Sequence, residues 1–221
     1  NIFFTNKFVA KLTAIIRIFW WTGVRESDSK KSLCLQAWKD ICNSKEEGGL
    51  GIRNLKAINE GLLLTAAWRL AKSPSSHLHL VFKAKYFHNA SIWTASANSP
   101  KSAFWASILK ILPKLKAHSF YQLSQGNISI WSTPWCSLWR SVHDCLIHQR
   151  HGFQYPSLVK DLWLPDQKTW NHDLVCSLFQ EPLASLIVQT DIIDDDSPDT
   201  LCWDLTPNGI CSSKSAYKLC L

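Results

Sequence analysis

The chain has 221 residues, of which 46% are apolar and 12% aromatic, and a formal net charge of +7. This apolar content excludes a natively disordered chain, because burial of so many side chains offsets the entropy lost on folding. The eight cysteines form no CxxC pair and follow no secretory signal, a usage typical of a reduced, intracellular protein in the nucleus or cytoplasm.

The charge is divided unevenly along the chain. Residues 1–126 hold 18 basic and 6 acidic residues, and residues 127–221 hold 6 basic and 11 acidic ones, so the net charges are +12 and −5. This asymmetry suggests one part that faces a polyanion and a separate part that does not. An equally good interpretation of the basic part is a lysine-rich surface that is exposed to solvent and binds no partner.

The first predicted element is a basic amphipathic helix that ends near Gly23. Its apolar residues recur at helical spacing while three cations, Lys7, Lys11 and Arg17, take other positions. The apolar run over 8–21 is shorter than the ~18 residues of a membrane span, and no membrane insertion is expected. A loop over 25–32 then leads to a short strand or helix start at 33–38.

A glycine-rich turn is predicted at 45–52, followed by three helices. The turn lacks the Gly-Lys-Ser/Thr ending of a phosphate-binding P-loop. The first of these helices spans 54–72, with one apolar stripe through Leu55, Ile58, Leu62, Ala66 and Arg69 and a neighbouring stripe through Leu63, Ala67 and Leu70. The second is capped at Ser73 and Pro74, with Leu78, Val81, Phe82 and Tyr86 inward. The third starts near Ser102, with Phe104, Trp105, Ile108, Leu109 and Leu112 inward until Pro113 disturbs it.

From residue 118 onward the pattern becomes mixed. Residues 120–123 and 128–131 predict a β-hairpin, and 201–204 and 210–212 a second one that turns at 207–209. Short helical patterns lie at 158–162 and 174–179, and an acidic loop at 191–199. The predicted fold is α+β: a mainly helical N-terminal part followed by a smaller mixed part with β-hairpins and short helices. The predicted regions are 1–117, 118–200 and 201–221.

Several short motifs, in this order, resemble the segment after the polymerase core of plant LINE-type (non-LTR) retrotransposon reverse transcriptases. They are FWWTG at 19–23, WKDIC at 38–42, KEEGGLGIRNL at 45–55, the stretch 59–69, KAKYF at 83–87, FW at 104–105, GNISIW at 126–131 and PW at 134–135. Trp203, Gly209 and KSAY at 214–217 resemble the opening of the zinc-binding region of these proteins. The block at 45–55 is the most specific part, and the likeness covers nearly the whole chain.

The resemblance implies RNA-directed DNA synthesis by the parent protein. The catalytic carboxylates of that family lie upstream of this segment and its Cys/His metal ligands downstream, so neither set is expected here, nor any cofactor. With no Met in the chain, we expect a fragment whose partners are the missing polymerase core and zinc-binding region. Whether the chain is itself part of an enzyme stays open. Ser44 stands where such proteins usually have Pro, and Thr65 where they usually have Lys. These departures from the family pattern are consistent with a decayed copy of a retroelement.

Two clusters suggest metal chemistry without matching its spacing. The aspartates 191, 194, 195, 196 and 199 miss the pattern of an EF-hand and favour a solvated acidic loop. Cys136, His143, Cys145, His148 and His151 include zinc-ligand types, but not in the paired spacing of a zinc finger. Scattered surface histidines and buried free cysteines are the favoured interpretation of that group, and no metal site is predicted.

Sequence-independent contact with the backbone of RNA or DNA is the favoured function. Its predicted residues are Lys7, Lys11, Arg17, Lys83, Lys85, Lys101, Lys110, Lys114 and Lys116. Of the twelve tryptophans, Trp135 and Trp139 are the better candidates for stacking on bases, whereas Trp38, Trp68, Trp105 and Trp131 are expected in the core. The alternative is a degenerate remnant or a protein-interaction module without affinity for nucleic acid.

Overall fold

The computed structural model describes residues 2–23, 35–88, 90–95, 102–136, 138, 142, 144–147 and 154–221. Within these ranges the fold is α+β and mainly helical, as predicted. In chain order the elements are α1 (Asn6–Thr22), α2 (Trp38–Cys42), α3 (Leu55–Lys72), α4 (His77–Tyr86), α5 (Ala103–Ala117), β1 (Ser119–Gln122), α6 (His172–Leu178), α7 (Leu183–Val188), β2 (Thr200–Trp203) and α8 (Ser213–Leu219). Single 3-10 turns occur at Lys45–Glu47 and Val159–Leu162.

The chain forms two compact units, each with its own buried residues. The first unit takes residues 1–66, 102–111 and 212–221, and the second takes 67–101 and 112–211. Trp105, Ile108 and Leu63 are among the most buried side chains of the first, and Trp135, Trp203 and Leu123 of the second. The regions predicted from sequence at 1–117, 118–200 and 201–221 were drawn from composition and resemblance, and they stay a prediction.

Helix α1 ends where it was predicted to end, and the structure adds the residue that caps its start. Thr5 caps it, because the Thr5 hydroxyl accepts a hydrogen bond from the Phe8 N–H at 3.2 Å. It ends at Gly23, which has φ 67 and donates its N–H to Phe19. No residue of this helix is buried. Across the described residues, no helix has the length and apolar character needed to cross a membrane.

Helix α3 is as long as predicted, and its buried face includes the second of the two predicted stripes but not the first. Leu63, Ala67 and Leu70 are fully buried, whereas Leu62, on the first stripe, is 43% exposed. The spacing of large apolar residues did not predict this face correctly, because the helix packs most closely at a small residue. A Cβ added to Gly61 would lie only 3.0 Å from the backbone N of Tyr217 in α8.

Helix α4 starts one turn later than predicted. Its cap is Ser76, whose hydroxyl accepts from the His79 N–H at 3.2 Å. The predicted inward residues Leu78 and Val81 are 49% and 63% exposed. The inward position belongs to His79, whose Nδ1 lies 2.7 Å from the Leu70 carbonyl oxygen. A hydrogen-bonded histidine is thus buried where an aliphatic residue was expected.

Helix α5 continues through Pro113 to Ala117 instead of ending there. The predicted residues Trp105, Ile108 and Leu112 are buried. Leu115, after the proline, is buried as well, so tertiary packing on both sides of Pro113 offsets the loss of one backbone hydrogen bond.

Both predicted β-hairpins are wrong as strand pairings. Strand β1 pairs antiparallel with β2, with Phe120 opposite Cys202, instead of pairing with residues 128–131. Near 207–209 the turn itself exists, since Trp203 donates its N–H to the Gly209 carbonyl at 2.9 Å. No strand follows it, because Ser212 caps α8. Each strand therefore pairs with a partner remote in the sequence, and not with the neighbouring segment that the turn residues had predicted.

Candidate nucleic-acid interface

The predicted contact residues of the first unit are all exposed. Lys7, Lys11 and Arg17 are exposed on α1, and Lys7 and Lys11 are one helical turn apart on the same side. Lys110 on α5 is exposed too, with its ammonium 4.7 Å from the centre of the Phe3 ring. The structure therefore brings Lys110 to the segment that leads into α1.

This N-terminal segment is held by specific hydrogen bonds to two helices. The Phe3 N–H donates to the Ser107 hydroxyl at 2.9 Å. The Phe4 N–H donates to the Asn59 side-chain oxygen at 2.9 Å, and the Asn59 amide donates to the Ile2 carbonyl at 2.8 Å. Because Asn59 is only 7% exposed, these bonds are partly shielded from water and fix the start of α1.

The remaining predicted cations belong to the second unit. Lys83 and Lys85 are exposed on α4, and the Lys85 ammonium lies 5.4 Å from the centre of the Tyr86 ring. Lys114 and Lys116 are half-buried on α5. Lys101 lies outside the described residues.

A group of cations that was not predicted lines a cleft of about 670 Å³ in the first unit. The cations are Arg53, Lys214 and Lys218, and all three are exposed. We call the cleft that they line the basic cleft. Within the described part of the chain, the residues that line this cleft include no carboxylate side chain. Three like charges around one concave surface raise the local concentration of anions, so the basic cleft suits a phosphate-bearing ligand.

The cleft exists because α8 packs closely against α3. At Gly61 the two helices come so near that an added Cβ would stand 3.0 Å from the Tyr217 nitrogen. The Tyr217 hydroxyl accepts a hydrogen bond from the Asn54 N–H at 3.0 Å, next to Arg53. These two contacts bring α8, with Lys214 and Lys218, to the cleft that Arg53 also lines.

The glycine-rich turn predicted at 45–52 forms part of the same cleft. Ser44 and Gly51 line it. Ser44 and Glu47 form a reciprocal capping box around the 3-10 turn, and Gly51 has φ 69, a backbone conformation that favours glycine. The turn lacks a P-loop motif, but its Gly51 lines the cleft that the cations line.

The basic cleft was missed because its members are remote in the sequence. Lys214 and Lys218 lie in the acidic half of the chain, which the charge count set aside. One signal was available: these two lysines are four residues apart, with Tyr217 between them, on a predictable helix start. Their position in one cleft with Arg53 depends on the close approach of α8 at Gly61, which no pattern of apolar residues reveals.

In the described residues, no three His, Cys, Asp or Glu side chains could hold a metal ion together. Cys136 is buried, and burial raises the pKa of its thiol to about 12. His143, His148 and His151 lie outside the described residues.

The acidic loop is more structured than a solvated loop. The Asp199 carboxylate accepts hydrogen bonds from the N–H groups of Ser124, Gly126 and Asn127 at 2.8, 2.9 and 2.7 Å. The Asp195 carboxylate accepts from the Ser124 hydroxyl at 2.6 Å, and this bond is the main cause that lowers the pKa of Asp195. These two carboxylates anchor a loop and are engaged already.

The stacking role predicted for Trp135 is wrong. Its side chain is 1% exposed, and its indole N–H donates to the Ile130 carbonyl at 2.8 Å. Trp68 and Trp105 are in the core as predicted, whereas Trp38 and Trp131 are half-buried. Trp139 lies outside the described residues.

Two proteins of Arabidopsis thaliana are similar to this chain. An uncharacterized mitochondrial protein is 29% identical over 127 residues, which cover 57% of this chain and 80% of that protein. A putative ribonuclease H protein is 28% identical over 216 residues, which cover 95% of this chain and 34% of that protein. The chain thus spans about a third of the longer relative. No family model and no solved structure matches it.

Proposed function

We propose that the chain is a region of a plant retroelement protein of the LINE type, and that it holds the backbone of RNA or DNA without reading its sequence. The motif resemblance along nearly the whole chain and the similarity to the two plant proteins support the retroelement origin. In this proposal the chain works inside the cell, in the nucleus or cytoplasm, between a polymerase core and a zinc-binding region. It contributes backbone contacts, and the catalytic groups belong to the core.

One observation carries the proposed contact with nucleic acid: Arg53, Lys214 and Lys218 line one cleft. Each cation that neutralises a phosphate releases condensed counterions, which makes binding strongly dependent on salt. The half-buried Tyr217 also lines the cleft and offers an aromatic surface on which an unpaired base can stack. Both terms are independent of base sequence.

The exposed cations of α1 extend the proposed contact. Lys7, Lys11 and Arg17 belong to the same unit as the basic cleft, as does Lys110. Lys83, Lys85, Lys114 and Lys116 stay predicted contacts of the second unit, as does Lys101. Lys7, Lys11, Arg17, Lys83, Lys85 and Lys110 are proposed from charge and exposure, and Lys101, Lys114 and Lys116 from charge alone. The basic cleft adds a concave shape.

The test compares two double variants that change the net charge equally. Arg53→Glu with Lys218→Glu reverses two cations of the basic cleft, and Lys39→Glu with Lys56→Glu reverses two exposed lysines of the same unit that do not line it. Binding of a labelled single-stranded RNA and a nicked DNA duplex is measured by fluorescence anisotropy over a salt series. Circular dichroism checks that each variant is folded.

We expect the cleft variant to lower the slope of log affinity against log salt by about 2, because each lost phosphate contact removes about one unit. The control variant should change that slope much less. A third variant, with Lys7, Lys11 and Arg17 all changed to Glu, measures the share of α1. Equal losses in the cleft and control variants, or no binding by the unmodified chain at low salt, would favour a remnant or protein-interaction module.

A further inference from the structure

The basic cleft has an apolar lining that contact with phosphates does not require. Besides its three cations, the cleft is lined by Ile58, Leu62 and Tyr217. Ile58 and Leu62 are four residues apart on α3, so they lie on the same side of that helix. Leu62 is 43% exposed, and Ile58 and Tyr217 are half-buried. These two residues of the first predicted stripe of α3 therefore line a cleft instead of the core.

Tyr217 is held in place at this cleft. Its hydroxyl accepts a hydrogen bond from the Asn54 N–H at 3.0 Å. Its backbone nitrogen would lie only 3.0 Å from a Cβ added to Gly61, which marks the close approach of α8 to α3. A ring that is anchored at its hydroxyl and at its backbone loses little freedom when a ligand binds, so it is prearranged for stacking.

The two kinds of lining residue together restrict which form of nucleic acid fits. Phosphates would pair with Arg53, Lys214 and Lys218, but a phosphate gains nothing from covering Leu62. The faces of the bases do gain, because they stack on aromatic rings such as that of Tyr217. In a duplex these faces are stacked on one another, whereas the bases of a single strand can be splayed out. Only an unpaired nucleotide can therefore use both kinds of lining residue.

We propose that the basic cleft binds an unpaired nucleotide of a single strand and discriminates against duplex. The base would stack on Tyr217 and cover Leu62, while the phosphates on either side of it contact the cations. This inference rests on the proposed function, since it specifies the form of nucleic acid that the same cleft takes. The cleft would detect whether a base is paired, and not which base it is.

Competition between matched oligonucleotides tests this proposal. A labelled DNA single strand bound to the full chain is displaced either by the same strand without label or by the blunt duplex of that sequence, at one salt concentration. The single strand should compete at least about tenfold more effectively, because only it can add a stacked base to the phosphate contacts. Contact with phosphates alone predicts the opposite order, since a duplex has the higher charge density. A duplex with a single-stranded overhang should compete as the single strand does.

Variants that keep the charge unchanged identify the residues responsible. Leu62→Gln and Leu35→Gln each alter an exposed leucine of the first unit, but only Leu62 lines the cleft. Leu62→Gln should weaken single-strand binding about threefold and reduce its advantage over duplex, whereas Leu35→Gln should not. Tyr217→Leu should weaken it about tenfold, while Tyr217→Phe keeps the ring and most of the preference. Circular dichroism checks that each variant is folded.

The outcomes separate this inference from the proposed function. Equal competition by strand and duplex, with both lost in the double variant of Arg53→Glu and Lys218→Glu, would overturn the inference and leave the proposed function standing. No binding of either form at low salt would overturn both. A peptide of alternating Glu and Leu is tested as a competitor too. If it displaced the strand more effectively than unlabelled strand does, and Leu62→Gln weakened it, the cleft would be a site for an acidic protein segment instead.

Discussion

The Asp199 carboxylate accepts a hydrogen bond from the Gly126 N–H at 2.9 Å and so joins two loops that are 73 residues apart. The same carboxylate accepts from the N–H groups of Ser124 and Asn127 at 2.8 and 2.7 Å. Three converging amides satisfy one half-buried anion, and they set the turn that a β-hairpin was expected to occupy.

Replacing Asp199 with Ala should destabilise the protein by about 2–3 kcal/mol, because three amides lose a charged acceptor at once. Asp194→Ala removes an exposed carboxylate of the same loop and should change stability by less than about 0.5 kcal/mol. Urea denaturation of both variants measures the difference. Equal stabilities would mean that water replaces Asp199 at no cost.

Gly126→Ala should be more damaging than the same change at Gly48. Both glycines have positive φ, 61 and 79, so each alanine suffers backbone strain of about 1 kcal/mol. At Gly126 the new Cβ would also lie 2.7 Å from the Trp163 ring and 2.8 Å from the Lys160 nitrogen, whereas at Gly48 nothing is within 4 Å. We expect a further loss of about 1–3 kcal/mol at Gly126, measured by thermal unfolding.

Gly61→Ala tests how the basic cleft is built. Alanine favours a helix interior by about 1 kcal/mol, but its Cβ would stand 3.0 Å from the Tyr217 nitrogen and push α8 outward. We expect a small net destabilisation of about 1 kcal/mol and weaker binding of single-stranded RNA, as Lys214 and Lys218 move away from Arg53. A more stable variant with unchanged RNA binding would contradict this account of the cleft.

Cys136 should resist alkylation in the folded protein. Burial raises the pKa of its thiol to about 12, so it remains protonated at pH 8, and the thiolate is the reactive form. Cys176 is half-exposed and serves as the internal comparison. Mass spectrometry after brief iodoacetamide treatment should show label on Cys176 long before Cys136, and both should react in denaturant. Equal labelling of the two in the folded protein would show that Cys136 is accessible.

Local signals in the sequence were sufficient for the end of α1 and the length of α3, but not for the start of α4 or the continuation of α5 through Pro113. The end of α1 follows from Gly23, and the length of α3 from a run of helix-forming residues that ends before Ser73 and Pro74. Such signals act over three or four residues, so they can be read from neighbours in the chain. The choice of buried face was less certain, because a histidine or glycine can be the residue in closest contact.

What the sequence by itself determined is therefore the mainly helical α+β class, the first helix, the glycine-rich turn and the uneven distribution of charge. Only the tertiary structure decided that β1 pairs with β2, that Asp199 holds the turn at 124–127, and that Arg53 lies with Lys214 and Lys218 around one cleft. The physical reason is distance along the chain: each of these contacts joins residues more than 70 positions apart. Their free energy depends on packing and hydrogen bonds that form only once the whole chain has folded.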